Sequence, residues 1–146
     1  VTLQRMDNIG IVVADLDAAV AFFTELGMEL EGTGRVEGAV PDLCVGLEGV
    51  SCDIAMMRTP DGHSRLEIAK YLSPEPIDAG QRERTHNTLG MHRVMYAVDD
   101  IDDVVERLRP HGGEVVGGIA RYEDVYRLCY IRGPEGIFIG LAQKLD

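Results

Sequence analysis

Basic residues are scarce in this chain of 146 residues: 14 lysines and arginines stand against 25 aspartates and glutamates, a formal net charge of −11 at pH 7. So acidic a chain repels phosphate backbones and has no counterion-release drive, which sets nucleic acid aside as a partner. No apolar run approaches the length needed to cross a bilayer, so no membrane partner is expected either. Cysteines number only three, an odd count with no close pair at zinc-ligand spacing. Cys44, Cys52 and Cys129 lie in apolar-rich stretches and are expected to be buried, reduced thiols. Also missing are a serine or cysteine nucleophile motif, a phosphate-cradling glycine loop and a nucleotide fingerprint. Residues Val1 to Asp7 read straight into a strand with no charged-then-apolar signal segment, and the expected location is cytoplasmic.

What is present is the composition of an ordinary globular protein, 45% hydrophobic and 27% charged, at a length that suits one domain. Within it lies an internal repeat. Sliding the sequence by 85 positions lays Val13 to Gly32 over Val98 to Gly117 with seven identities: Val13/Val98, Asp15/Asp100, Asp17/Asp102, Val20/Val105, Gly27/Gly112, Glu29/Glu114 and Gly32/Gly117. Chance pairing gives about one or two in such a window. Duplication accounts for the excess.

Each copy opens with a strand-like run, Ile9 to Val13 and Val94 to Val98, followed by a helix. Asp15 and Asp100 are good N-caps, and Leu16, Ala19, Val20 and Phe23, then Ile101, Val104, Val105 and Leu108, recur at helical spacing. Gly27 and Gly112 end the helices. Three strands follow each: Met28 to Val36, Cys52 to Arg58 and Ser64 to Tyr71, then Glu114 to Arg121, Val125 to Arg132 and Ile137 to Gln143. Pro60-Asp61-Gly62 and Gly133-Pro134-Glu135-Gly136 are turns at matching places in the two copies. The expected class is α+β, two tandem βαβββ modules over residues 1–72 and 90–146, joined by a polar connecting loop, 73–89.

With that grammar in place, MDNIGIVVADLDAAVAFF, RLEIAKYLSP, RVMYAVDDIDDVVERLRPHGGEVVG and GPEGIFIGLAQKL resemble the vicinal oxygen chelate superfamily, which includes glyoxalase I, methylmalonyl-CoA epimerase, extradiol dioxygenases, and fosfomycin- and bleomycin-resistance proteins. The resemblance covers nearly the whole chain. It implies a single glyoxalase-like domain, curled mixed sheets around a cleft, and a homodimer. In metal-binding members each module supplies one ligand from its first strand and one from near its last, typically His or Gln, Glu, His and Glu. Carried onto this sequence, the first-strand positions are Asn8 and Arg93, and the last-strand positions are Glu67 and Gly140. An amide oxygen is a weak donor, and a guanidinium has no lone pair to give. Only Glu67 is a good ligand, so no metal and no cofactor are expected. His92 is offset by one residue from Arg93, and side chains alternate along a strand, so His92 turns away from the cleft unless a bulge resets the register.

Glu67 and Arg93 are the candidate catalytic pair. They either bond each other and hold the two halves together, or contact a ligand as base and electrostatic clamp. The candidate ligand-binding set is Asn8, Glu67, Arg93, Met95, Met56, Tyr122 and Tyr126. Small residues such as Gly10, Ala97 and Gly140 leave volume and methionines adapt to irregular apolar ligands, although both also serve simple packing. Tyr122 and Tyr126 are read as rim contacts or as a polar turn. The partner is a small molecule, which an acidic surface suits if cationic; an enzyme of lyase, epimerase or dioxygenase type is the alternative.

Overall fold

The computed structural model describes residues 2–91 and 93–146. The chain runs β1 (Ile9–Val12), α1 (Leu16–Leu26), β2 (Glu29–Glu37), α2 (Ala39–Val45), β3 (Ser51–Arg58), β4 (Arg65–Ser73), β5 (Arg93–Ala97), α3 (Ile101–Leu108), β6 (Glu114–Tyr122), β7 (Tyr126–Arg132) and β8 (Phe138–Lys144). Two mixed four-stranded sheets result, with orders β1-β4-β3-β2 and β5-β8-β7-β6. The order is the same in both, as a duplicated βαβββ unit requires. Contacts divide the chain into Val1–Ile77 and Asp78–Asp146, so the segment from Asp78 onward packs with the second module. None of the described helices is long and apolar enough to cross a membrane.

In the first module β1 runs parallel to β4, and β4 pairs antiparallel with β3. The Asp15 carboxylate accepts a hydrogen bond from the Ala18 amide at 3.0 Å and caps α1. Gly27, at φ 126, closes it by donating its N–H to the Phe23 and Thr24 carbonyls. Ala19, Phe22, Phe23 and Leu26 are thereby aimed at Ala55, Met57, Leu66 and Ile68, all buried. Each large side chain so removed from water contributes roughly 1.5–3 kcal/mol before its entropy cost.

The second module repeats the plan. Asp100 caps α3 through the Asp103 amide at 3.1 Å, and Ile101, Val104, Val105 and Leu108 pack with Cys129, Ile131, Ile139 and Leu141. Arg127 of β7 grips Asp102 of α3 with two hydrogen bonds of 2.8 and 3.0 Å. The helix ends at Leu108, four residues before Gly112. A 3₁₀ turn, Arg109–His111, fills the gap, and it is this turn that Gly112 closes.

Two expectations need correction. Cys44 is exposed, and only Cys52 and Cys129 are buried thiols, each pushed up in pKa chiefly by burial. Cys44 sits on α2, a helix the apolar periodicity did not signal. Its seven residues begin after Gly38 and end at Gly46 in the left-handed region, and none is buried. The second module has no counterpart to α2, because β6 turns directly into β7 through Glu123 and Asp124, at φ 47 and 56.

The connecting segment holds one 3₁₀ turn, Gln81–Glu83. It is clasped by Arg132, whose guanidinium donates to the carbonyls of Arg84 and Gly136, the latter at 2.8 Å. Gly136 makes this approach possible, since a Cβ there would lie 2.5 Å from the Arg82 Cα, at φ +76. Gly136→Ala is expected to cost about 2 kcal/mol or more. Gly117→Ala, at φ +71 with open space around it, costs about 1 kcal/mol from backbone strain alone. Urea midpoints of the two variants check the difference. Asp102 supplies a second test, because Arg127 beside it holds its carboxyl below the usual range, first through the hydrogen bond. A lowered folded pKa gives stability that is present above the ordinary value of about 3.9 and is lost as pH falls through the folded value. Asp102→Asn is therefore expected to flatten the fall of the urea midpoint below about pH 4.

Candidate functional site

In each sheet the candidate strand residues lie on the face away from the helix, and the register says which side chains share it. In the first module Gly10 of β1 stands opposite Glu67 of β4, which stands opposite Met56 of β3. Glu67 and Met56 are half-buried, Gly10 is exposed, and Asn8 is exposed just ahead of β1. Within this module no described residue bonds the Glu67 carboxylate.

In the second module Arg93 pairs with Phe138, and Met95 with Gly140, across β5 and β8. Phe138 in turn faces Arg132, and Gly140 faces Tyr130, on β7. Gly10 and Met95 are 85 positions apart, the period of the repeat, and their partners are Glu67 and Gly140. The pairing thus establishes Gly140 as the structural equivalent of Glu67. A Cβ on Gly140 would meet the Met95 sulfur at 2.6 Å and the Tyr130 Cε1 at 3.0 Å, so the space above it is already filled.

Arg93 is exposed and donates from Nη1 to the Tyr130 hydroxyl at 2.6 Å, its guanidinium carbon lying 5.6 Å from the centre of that ring. Tyr122 and Tyr126, opposite each other across the β6–β7 hairpin, are 57% and 39% exposed. Alternation along β7 puts Tyr126 on the face of Tyr130. The candidates Arg93, Met95, Tyr122 and Tyr126 therefore share one face of the second module. His92 lies outside the described residues.

Two residues of this face were not singled out beforehand. Tyr130 was legible by counting in twos from Tyr126. His86 was not, because it comes from the connecting segment, where no periodicity operates: its ring stacks on Phe138 at 3.8 Å and meets Tyr130 edge-on at 4.3 Å. Phe138 is fully buried on this otherwise open face, with His86 on it and the Arg132 guanidinium 4.1 Å from its ring centre.

With this geometry the comparisons with known proteins agree. The family model of the Glyoxalase/Bleomycin resistance protein/Dioxygenase superfamily matches residues 5–141, and the chain belongs to that superfamily. The crystal structure of a glyoxalase family protein from Bacillus cereus is 52% identical, with a TM-score of 0.94 over 99% of this chain and 97% of that one. The uncharacterized protein YwbC of Bacillus subtilis is 26% identical over 144 residues, covering 97% of this chain and 98% of its own. A mutant of glyoxalase I from Zea mays, 20% identical with a TM-score of 0.68, shares the fold, and this chain spans 46% of it.

Set against the superfamily's metal-binding pattern, the second module has a guanidinium and a bare glycine at its two donor positions. Among the described residues no group of three or more His, Cys, Asp or Glu side chains is gathered. The donor set does not fit a divalent ion. Gly140→Ala should cost about 1 kcal/mol, and Gly140→Ala combined with Met95→Ala less than the sum of the two, because removing the thioether frees the space the new methyl needs. A double-mutant cycle of unfolding free energies checks the sign of the coupling.

Proposed function

We propose that this chain is a metal-independent small-molecule-binding member of its superfamily, a homodimer in which the sheet faces take the ligand. The observation that carries the reading is in the second module, where Arg93 stands at one donor position and Met95 and Tyr130 close over the other, Gly140. An uncompensated guanidinium repels a cation and attracts polar or anionic groups, so the same scaffold position has its preference reversed. Dimerisation has support in the apolar side chains left open on α2, where Val40 and Leu43 are 71% and 83% exposed.

A second reading, an enzyme with Glu67 as base and Arg93 as clamp, is favoured by one observation, a half-buried Glu67 carboxylate with no bonding partner in its own module. Such a group is open to accept a proton from a ligand.

The full-length protein, purified without chelators, is expected to contain far less than one divalent ion per chain by elemental mass spectrometry. Its melting temperature should be insensitive to EDTA and to added zinc, nickel, manganese or iron, and should rise with a ligand from a screen of cationic antibiotics, acyl-CoA esters and glutathione adducts. Stoichiometric metal would overturn the metal-independent reading. Turnover of a screened compound that Glu67→Gln abolishes, with binding kept, would decide for the enzyme.

A further inference from the structure

Among the arginines of the second module, Arg93 is in an unusual position. Arg82, Arg107, Arg109, Arg121 and Arg127 each meet a carboxylate. Arg84 and Arg132 give protons to main-chain carbonyls. Arg93 meets only a neutral hydroxyl, and within its module no described carboxylate accepts from it. A guanidinium carries five N–H donors, so a single bond leaves most of them open. The Tyr130 oxygen accepts from Arg93, which leaves its own O–H available as a donor. Two kinds of donor thus converge at one point of the sheet face, with Nη1 and the phenol oxygen 2.6 Å apart. That arrangement fits an anion with two acceptor oxygens, and a carboxylate is the simplest one.

The rest of the face sets what accompanies the carboxylate. One step from Gly140, Ala97 of β5 pairs with Ala142 of β8, and Ala142 with Leu128 of β7, so the floor beside the donors is apolar. Beyond it stand Tyr126 and Tyr122, both exposed. Four residues of strand separate Tyr126 from Tyr130, about 13 Å at the usual rise. In the other direction the face is closed, because His86 lies against Phe138, the partner of Arg93. A ligand bound at Arg93 therefore extends toward the tyrosine pair.

We propose that this face binds a small arylalkanoic acid, with its carboxylate on Arg93 and Tyr130 and its apolar body over Ala97, Ala142 and Leu128 toward Tyr126. The proposal rests on the small-molecule-binding reading above and narrows its ligand class. Exposed aromatic rings offer stacking surface to such a body, and the Met95 thioether, 44% exposed, adapts to its shape.

Isothermal titration of the full-length protein with 4-phenylbutyrate, its primary amide and 4-phenylbutylamine tests it. The acid is expected to bind one per chain, at least about tenfold more tightly than the amide, with affinity falling as salt is raised. Arg93→Met should weaken the acid by about tenfold or more and leave the amide unchanged, with Arg93→Lys recovering part of the loss. Tyr130→Phe should weaken the acid by about threefold to tenfold. Tyr126→Ala should weaken acid and amide alike. Melting curves matching the parent protein establish that each variant is folded. The assignment is overturned if the amine is preferred, if Arg93→Met binds the acid as the parent does, or if the acid fails to bind at about millimolar concentration. Failure here while another compound binds without metal leaves the general binding reading intact. Stoichiometric metal in a protein that still binds the acid through Arg93 removes the metal-independent reading and keeps this one.

Discussion

The parallel pairing of first and last strand in each module decides which side chains can act together. Because side chains alternate, a slip of one residue between β5 and β8 would turn Arg93 and Met95 toward the helix and bring Val94 and Tyr96 to the open face. The slip is resisted by burial on the other side. Ile139 and Leu141 lie fully buried against α3, and the Tyr96 phenol is buried enough that its pKa is pushed well up. Placing a guanidinium in that layer without a partner would cost several kcal/mol. The chemistry of the open face is thus held by the hydrophobicity of the closed one, and the same holds in the first module for Glu67, flanked in sequence by buried Leu66 and Ile68.

How much of this could be read in advance depended on periodicity. The identities at the repeat spacing, the two capping aspartates and the apolar runs all come from residues whose neighbours in sequence share their structural role, and they gave strands correct to within a residue or two. α2 has no such signal. It has seven residues, exposes every one of its large apolar side chains and includes Pro41, so nothing in a window of helical length distinguishes it from loop. Cys44 departs from expectation for the same reason, since an apolar stretch in sequence does not tell a buried segment from an exposed one.

The open face was legible where it lay on strands. Arg93, Met95, Tyr122 and Tyr126 follow from alternation, and the register of β1 on β4 and of β5 on β8 places Gly140 where Glu67 stands. What sequence could not supply was contact across long separations. His86 lies on Phe138 in a segment held down by Arg132, far along the chain, which binds the carbonyl of Arg84. Arg93 reaches Tyr130 because a single strand, β8, stands between β5 and β7 and carries Phe138 opposite Arg93 and Gly140 opposite Tyr130. Both contacts depend on folded geometry.

The acidic total invites the expectation of a cationic ligand, yet a sum over the chain is not the field at a point. Residues 1–77 hold 13 acidic and 5 basic side chains, whereas residues 78–146 hold 12 and 9, so the excess is unevenly divided. Within the second module Asp102, Asp103, Glu106, Asp124 and Glu135 are each bonded to an arginine, so five of its carboxylates are neutralised where they stand. At physiological ionic strength the Debye length is about 8 Å, and exposed charges farther off are largely screened. A guanidinium at hydrogen-bonding distance outweighs them. In the proposed binding mode the preference of this face is therefore set by Arg93 and Tyr130, while surplus carboxylates elsewhere bear on solubility and on the rate at which charged molecules approach.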